Sequence, residues 1–371
     1  MSFVWPTSHV GMLHPLAAAG SKAQTQGLSF LQMAEAAAQG QSYEQAKARF
    51  PEVDPATVET RKSLYEEFGL LYVPKYSGTI HLTSVGRQLF ELLGTNPPAE
   101  PSAELRRQVD SLLCWAMTHT QINRPQSLGS PAIKPEERAN CDVRPYATFW
   151  QAMFELGGTI EFQEFSNVLA RVQRVDDFPT AIEGILQARK TGKLPEAPEQ
   201  SGNFRIYWTS HVSIADTVLQ VNEGRFTFSP DRQSTLKSVL QFQMGCEGND
   251  VSAAMRATPW KDVGEYYDFA GQQCPEFIAS GQTTVVSFGG QSVVMLKGYA
   301  LQKDAGGYFI DAGMELCALK LGMPCFHSSE VRRMMRIDQK QNRAGNAIRI
   351  RLGLGRPINN PIQLLQLWGE E

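Results

Sequence analysis

The residues best suited to chemistry gather near the far end of the chain. Between Val331 and Arg356 stand Arg332, Arg333, Arg336, Lys340, Arg343, Arg349, Arg351 and Arg356, against one acid, Asp338. That is a local charge of +7 in a chain whose net charge is −3. Guanidinium groups pair with phosphate through two parallel N–H···O bonds, so concentrated arginine suits a nucleic-acid backbone. A solvated face, or an interface to an acidic partner subunit, would use the same residues. Upstream, Asp304, Asp311, Glu315 and Lys320 are the nearest approach to a metal-dependent nuclease site, where carboxylates hold the ion that activates water. Their spacing lacks a Glu-x-Lys pair on one strand. An acid at a helix N-terminus (Asp311) and an exposed Glu315 account for them better.

Other chemistries find less support. The six cysteines include no C-x-x-C pair and the six histidines lie far apart, so neither a disulfide framework nor a zinc site is indicated. Cys325-Phe326-His327 puts a thiol beside an imidazole in sequence, but adjacent side chains seldom face each other. His119 and His211 stand alone and read as structural histidines. Gly289-Gly290 is not followed by Gly-Lys-Ser/Thr, so it makes a turn rather than a phosphate loop. No cofactor and no metal are expected.

The elements that position these residues follow from pattern. The chain has 371 residues, 42% apolar and 20% charged, enough for two or three globular domains. It has no run of ~18 apolar residues and no basic start before an apolar stretch, which predicts a cytoplasmic protein with no membrane partner. Residues 1–26, rich in Ala, Gly, Ser and Thr, read as a loosely ordered arm. Phe30, Leu31, Ala34 and Ala38 mark a first helix and Tyr43 to Phe50 a second. Asp54-Pro55 opens a third, burying Val58, Leu64 and Phe68. Then Tyr72 to Leu93 reads as strand, Ser-Gly turn, strand and helix: Ile80 and Leu82 alternate with Thr79 and His81, and from Thr83 the period becomes helical.

Three helices, a β-hairpin ending in Leu-Thr-x-x-Gly-Arg-x-Leu, and a further helix resemble the winged-helix domains of prokaryotic DNA-binding proteins over residues 27–94. The resemblance implies that the third helix enters a DNA groove. Thr57, Thr60, Arg61 and Lys62 would then face outward, with Lys75, Tyr76 and His81 on the wing. Glu59, Glu66 and Glu67 share that helix and would weaken phosphate attraction. Winged-helix units also serve as protein-interaction modules.

A linker and a helix from Leu105 to Met117 occupy residues 95–145. Residues 146–245 then repeat the pattern: helix to Leu156, a short strand at Thr159-Ile160, a helix from Glu161 to Arg174, and a third from Phe178 to Lys190 capped by Asp176. An additional segment lies at Phe204 to His211, followed by a hairpin of Thr217 to Val221 and Phe226 to Phe228, then a helix. Residues 246–371 hold a helix within Trp260 to Gly271 and paired strands at Thr283 to Phe288 and Ser292 to Leu296. A strand at Tyr308 to Ile310, helices at Met314 to Leu321 and Glu330 to Gln341, and a strand at Ala347 to Leu352 follow. The expected fold is α+β and helix-rich: two winged-helix-like units followed by a smaller α+β domain with a basic end. The expected function is a non-catalytic DNA-binding component, resembling those of restriction and antiviral defence systems. Its partners would be double-stranded DNA and a protein subunit of a larger complex. A nuclease with an atypical site, or an assembly subunit, are the alternatives.

Overall fold

Reciprocal caps start the first two helices. In the computed structural model, α1 (Phe30–Ala38) opens at Ser29, whose hydroxyl accepts from Gln32 N–H while the Gln32 side chain accepts from Ser29 N–H. Ser42 and Gln45 repeat this device on α2 (Tyr43–Ala48), and such boxes satisfy two otherwise orphaned donors. The described residues are 3–6, 10–17, 29–49, 55–74, 78–124, 140–197, 204–244, 252–257, 260, 262–274, 276–279 and short strands between 283 and 351. They are helix-rich with small sheets, an α+β chain. Two compact units form: Met1–Gln233 with Met255–Ala279, and Ser234–Ala254 with Ser280–Glu371. Residues 255–279, grouped by sequence with the C-terminal domain, therefore belong to the first unit.

In the first unit, α3 (Pro55–Glu67) buries Leu64 and Tyr65, and Phe68 follows it into the core. β1 (Leu71–Tyr72) pairs antiparallel with β2 (His81–Leu82), placing Tyr72 opposite His81. Ser42 bridges Thr79, adding a third position on the far side of β2. Thr83 then caps α4 (Ser84–Leu93), accepting from Gly86 N–H and turning its own hydroxyl to the Gly69 carbonyl at 2.6 Å. Helix α5 (Ala103–Thr118), capped by Ser102, is buried all round from Val109 to Thr118, as a helix at a domain's centre must be.

The element order now recurs. After α6 (Pro145–Glu155) come β3 (Thr159–Glu161), α7 (Phe162–Asn167) and two 3₁₀ turns at Leu169–Arg171 and Val175–Asp177. The single helix expected from Glu161 to Arg174 is thus broken. Helix α8 (Phe178–Thr191) buries Phe178, Ala181, Ile182, Ile185 and Ala188. Asp176 does not cap it; that carboxylate instead accepts from Arg256 at 2.7 Å. An inserted helix, α9 (Phe204–Val212), precedes the hairpin of β4 (Leu219–Asn222) and β5 (Arg225–Phe228). Glu223 and Gly224, at φ 53° and 86°, join the strands, a two-residue turn with both φ positive that matches strand twist. The sheet order is β3-β5-β4. In both repeats, therefore, the strand position before the second helix pairs with the second strand of the hairpin: Ser42 with Thr79, β3 with β5.

The N-terminal segment is not a loose arm where it is described. Trp5 is 1% exposed, donates its indole N–H to the Val172 carbonyl at 2.7 Å, and packs on Phe165 and Trp208. His14 meets Asp110, whose carboxylate also accepts from Thr217 and Arg232. Small-residue composition predicted disorder, but one large aromatic side chain in the core is enough to order its neighbours.

Helix α10 (Gln233–Met244) runs across the unit boundary, and α11 (Ser252–Met255) returns to the first unit. There α12 (Val263–Ala270) is seated against the first hairpin. Val85 N–H donates to the Gly271 carbonyl, and a Cβ on Gly271 would lie 2.1 Å from the Thr83 Cβ, so glycine alone permits the contact. The short α13 (Glu276–Ala279) closes this unit.

In the second unit β6 (Thr283–Phe288) and β7 (Gln291–Leu296) pair in full register. β8 (Leu301–Asp304) pairs with β9 (Gly307–Ile310), and β10 (Glu315–Cys317) with β11 (Cys325–His327), while β7 and β10 join to give the order β11-β10-β7-β6. β12 (Asp338–Gln341) pairs with β13 (Ile348–Arg351). Two expectations fail here. The helix expected at Met314 to Leu321 contains the strand β10, and the basic helix expected to end at Gln341 finishes instead as β12. Strand pairing outweighs helix propensity at both places.

Candidate nucleic-acid interface

The candidate residues fall into three groups. In the first, Thr57 lies near the start of α3 and Thr60 is half-buried on it. Arg61 is not outward: it is 6% exposed and donates to the Gly11 carbonyl at 2.8 Å. The N-terminal segment engages one of the residues that periodicity assigned to a groove. Lys62 is tied down too, 2.6 Å from Glu59 and 3.8 Å from Glu66, with its ammonium over the Tyr43 ring. Glu66 and Glu67, expected to repel phosphate, are both buried.

In the second group, Lys75 and Tyr76 lie outside the described residues. His81 is exposed on β2, its ring stacked on Tyr72 at 5.0 Å and 17°.

The third group is the C-terminal basic segment. Arg332, Arg333, Arg336 and Arg343 lie outside the described residues. Lys340, Arg349 and Arg351 lie on the β12–β13 pair, where Lys340 stands opposite Arg349 and Asp338 opposite Arg351. Because strand residues alternate faces, Arg349 and Arg351 share one face of this ribbon with Lys340 and Asp338, and Ile348 and Ile350 take the other. Like charges directly opposed across a pair are destabilising without a counter-ion.

Of the nuclease set, two residues are described. Asp304 ends β8 and Glu315 begins β10, in different sheets, while Asp311 and Lys320 lie outside the described residues. Among the described residues no group of three or more His, Cys, Asp or Glu is disposed to hold a metal ion. No helix among them is long and apolar enough to cross a membrane.

Sequence reasoning missed a buried polar chain in the first unit. Glu67 lies 3.2 Å from the Tyr146 hydroxyl, which lies 3.2 Å from His211 Nδ1, and His211 Nε2 lies 2.8 Å from the Val10 carbonyl. A carbonyl only accepts, so Nε2 carries a hydrogen. Burial pushes the Glu67 carboxyl up to about 7 despite nearby Arg124, and pushes the His211 imidazole down to about 4, helped by Arg61. With Glu67 ionised, the Tyr146 hydroxyl donates to Glu67 Oε1; with Glu67 protonated, Glu67 can donate to Tyr146 while Tyr146 donates to neutral His211, and in both cases His211 donates to Val10. The residues are 79 and 65 positions apart along the chain, and only an apolar neighbourhood for a helix-terminal glutamate could have hinted at it.

No protein-family model matches the chain, and no curated protein matches it significantly. The charge distribution is the remaining guide. The first unit holds 23 Lys and Arg against 29 Asp and Glu, and the second 12 against 9, for net charges of −6 and +3. The net positive charge therefore lies in the second unit.

Proposed function

We propose that this chain is a DNA-binding, non-catalytic, cytoplasmic component of a restriction-type or defence complex, holding the duplex backbone through its C-terminal basic segment. The carrying observation is the register of β12 and β13, which sets Lys340 against Arg349 and adds Arg351 on the same face. An anion along that face relieves the repulsion, and a phosphate backbone supplies anions at regular spacing. In sequence Arg332, Arg333 and Arg336 precede β12 and Arg343 lies between β12 and β13, and all four add to the positive charge of this segment.

The first unit is read as two winged-helix units. Supporting this are the recurring order of helices and hairpin and the matching strand adjacency in residues 29–93 and 145–228. Their role is positioning, since backbone contacts fix register while base contacts specify. The test is a fluorescence-anisotropy titration of the full chain with a labelled duplex of about 20 base pairs at increasing salt. Tight binding at low salt that weakens steeply is expected; no binding at low salt overturns the reading.

A second reading, an assembly subunit whose winged-helix units bind protein, has its own support. Arg61 and Lys62 are engaged inside the chain, and the first unit is net acidic. Co-purification with a large partner, without retention on heparin, would favour it.

A further inference from the structure

The first hairpin carries an arrangement that a groove-reading wing does not need. The rings of His81, Tyr72 and Tyr267 form one continuous stack: His81 on Tyr72 at 5.0 Å and 17°, Tyr72 on Tyr267 at 4.9 Å and 16°. The inner end is fixed. Tyr267 is 3% exposed on α12, edge-on to Tyr266, in a cluster that includes Trp260 and Phe269. Gly271, which closes α12, is in turn fastened to the first turn of α4, just after the hairpin, by the Val85–Gly271 bond. The outer end is exposed: among the described residues His81 is the last ring of the stack, and it is exposed. Beside it, Arg87 is exposed and donates to the Leu82 carbonyl and the Ser84 hydroxyl, with no carboxylate partner among the described residues.

A pile of near-parallel rings with an exposed outermost member, close in sequence to a cation with no acid partner among the described residues, has the composition of a base-stacking platform. Every nucleobase offers a π-face, and Arg87 is placed to take an adjoining phosphate. Bases inside a duplex are already stacked on both sides, so only an unpaired base can occupy such a face. We infer that the His81–Tyr72–Tyr267 stack is a binding site for single-stranded nucleic acid, seating one unpaired base on His81. This rests on the nucleic-acid reading above and sharpens it: the chain would bind where duplex meets single strand.

The experiment compares the full-length protein with His81→Ala and His81→Phe, each first checked for an unchanged melting temperature. The probes are a fluorescein-labelled oligo-dT of about 20 nucleotides and a labelled duplex of equal length. His81→Ala should weaken oligo-dT binding about tenfold and leave the duplex alone, while His81→Phe restores oligo-dT binding. A 2-aminopurine placed in the oligo-dT should be quenched by the wild type and by His81→Phe, and not by His81→Ala. Oligo-dT binding that is absent in the wild type, or equal in all three proteins, overturns the platform. If duplex binding persists in that case, the proposed function stands without it; if neither probe binds, both fail.

Discussion

The two units use their charged groups in opposite ways. In the first, several arginines close on partners within the fold. Arg232 donates to fully buried Asp110 at 2.7 Å, Arg189 grips Glu164 at 2.6 Å, and Arg61 serves the Gly11 carbonyl. In the second, Lys340, Arg349 and Arg351 share one face of a two-stranded ribbon with a single acid. An inward arginine holds parts of a fold together, and its loss strands a buried partner. Under the proposed function the difference would separate scaffold from contact surface, even though the first unit is the one whose sequence resembles a DNA-binding domain.

The largest effect should come from Trp5. Trp5→Ala removes a fully buried indole from between Phe165 and Trp208 and leaves the Val172 carbonyl unmet. The expected cost is about 3–5 kcal/mol of stability, measured by urea denaturation. A change below about 1 kcal/mol would return the N-terminal segment to the status of a loose arm and weaken the account of an engaged Arg61.

The polar chain makes a subtler test through pH. Glu67, raised from 4.5 to about 7, favours folding below its unfolded value, and that stability is lost as pH rises toward 7. His211, lowered from 6.5 to about 4, contributes stability that is lost as pH falls from 6.5 toward 4. Between about 4.5 and 6.5 the folded and unfolded states then bind the same number of protons at this pair, and the two slopes cancel. Single variants should uncover them. Glu67→Gln, a mimic of the protonated acid, should lose stability relative to wild type as pH falls through that window. His211→Asn should lose it as pH rises. Each swing is expected at about 3 kcal/mol, in urea titrations across pH. His119, also held neutral by burial, adds a rise with pH common to all three proteins and drops out of the difference. Parallel pH profiles for wild type and both variants would contradict the shared-proton arrangement.

Lys62 should matter least. Because Glu59 and Glu66 engage its ammonium, Lys62→Ala should alter duplex affinity less than about twofold and stability by about 0.5 kcal/mol. A large affinity loss would move the contact surface back to α3.

Much of the architecture was legible because it rests on local signals. The Ser-Gly and Glu-Gly turns, the Thr83 cap and the alternation of Ile80 and Leu82 predict the hairpins, and their echo after Thr159 predicts the repeat. What was hidden depends on distant contacts. Arg61 has the exposure periodicity of an outward residue, yet a segment 50 positions earlier covers it. Glu67 reads as a surface acid until Tyr146 and His211 arrive from the second repeat. Glu315 to Cys317 has helical composition but pairs with β11 and β7, which no window around it contains. In the candidate site, the basic segment and His81 could be named from sequence. The opposition of Lys340 and Arg349, and the rings beneath His81, needed the fold.

The most direct measurement is the salt dependence of duplex affinity for the full chain and for a Lys340→Ala, Arg349→Ala, Arg351→Ala triple variant. If these three cations neutralise phosphates, the slope of log affinity against log salt should become shallower by about 3, near 0.9 for each lost contact. A triple variant with the wild-type slope and affinity would contradict the assignment of the DNA-contacting surface to this ribbon.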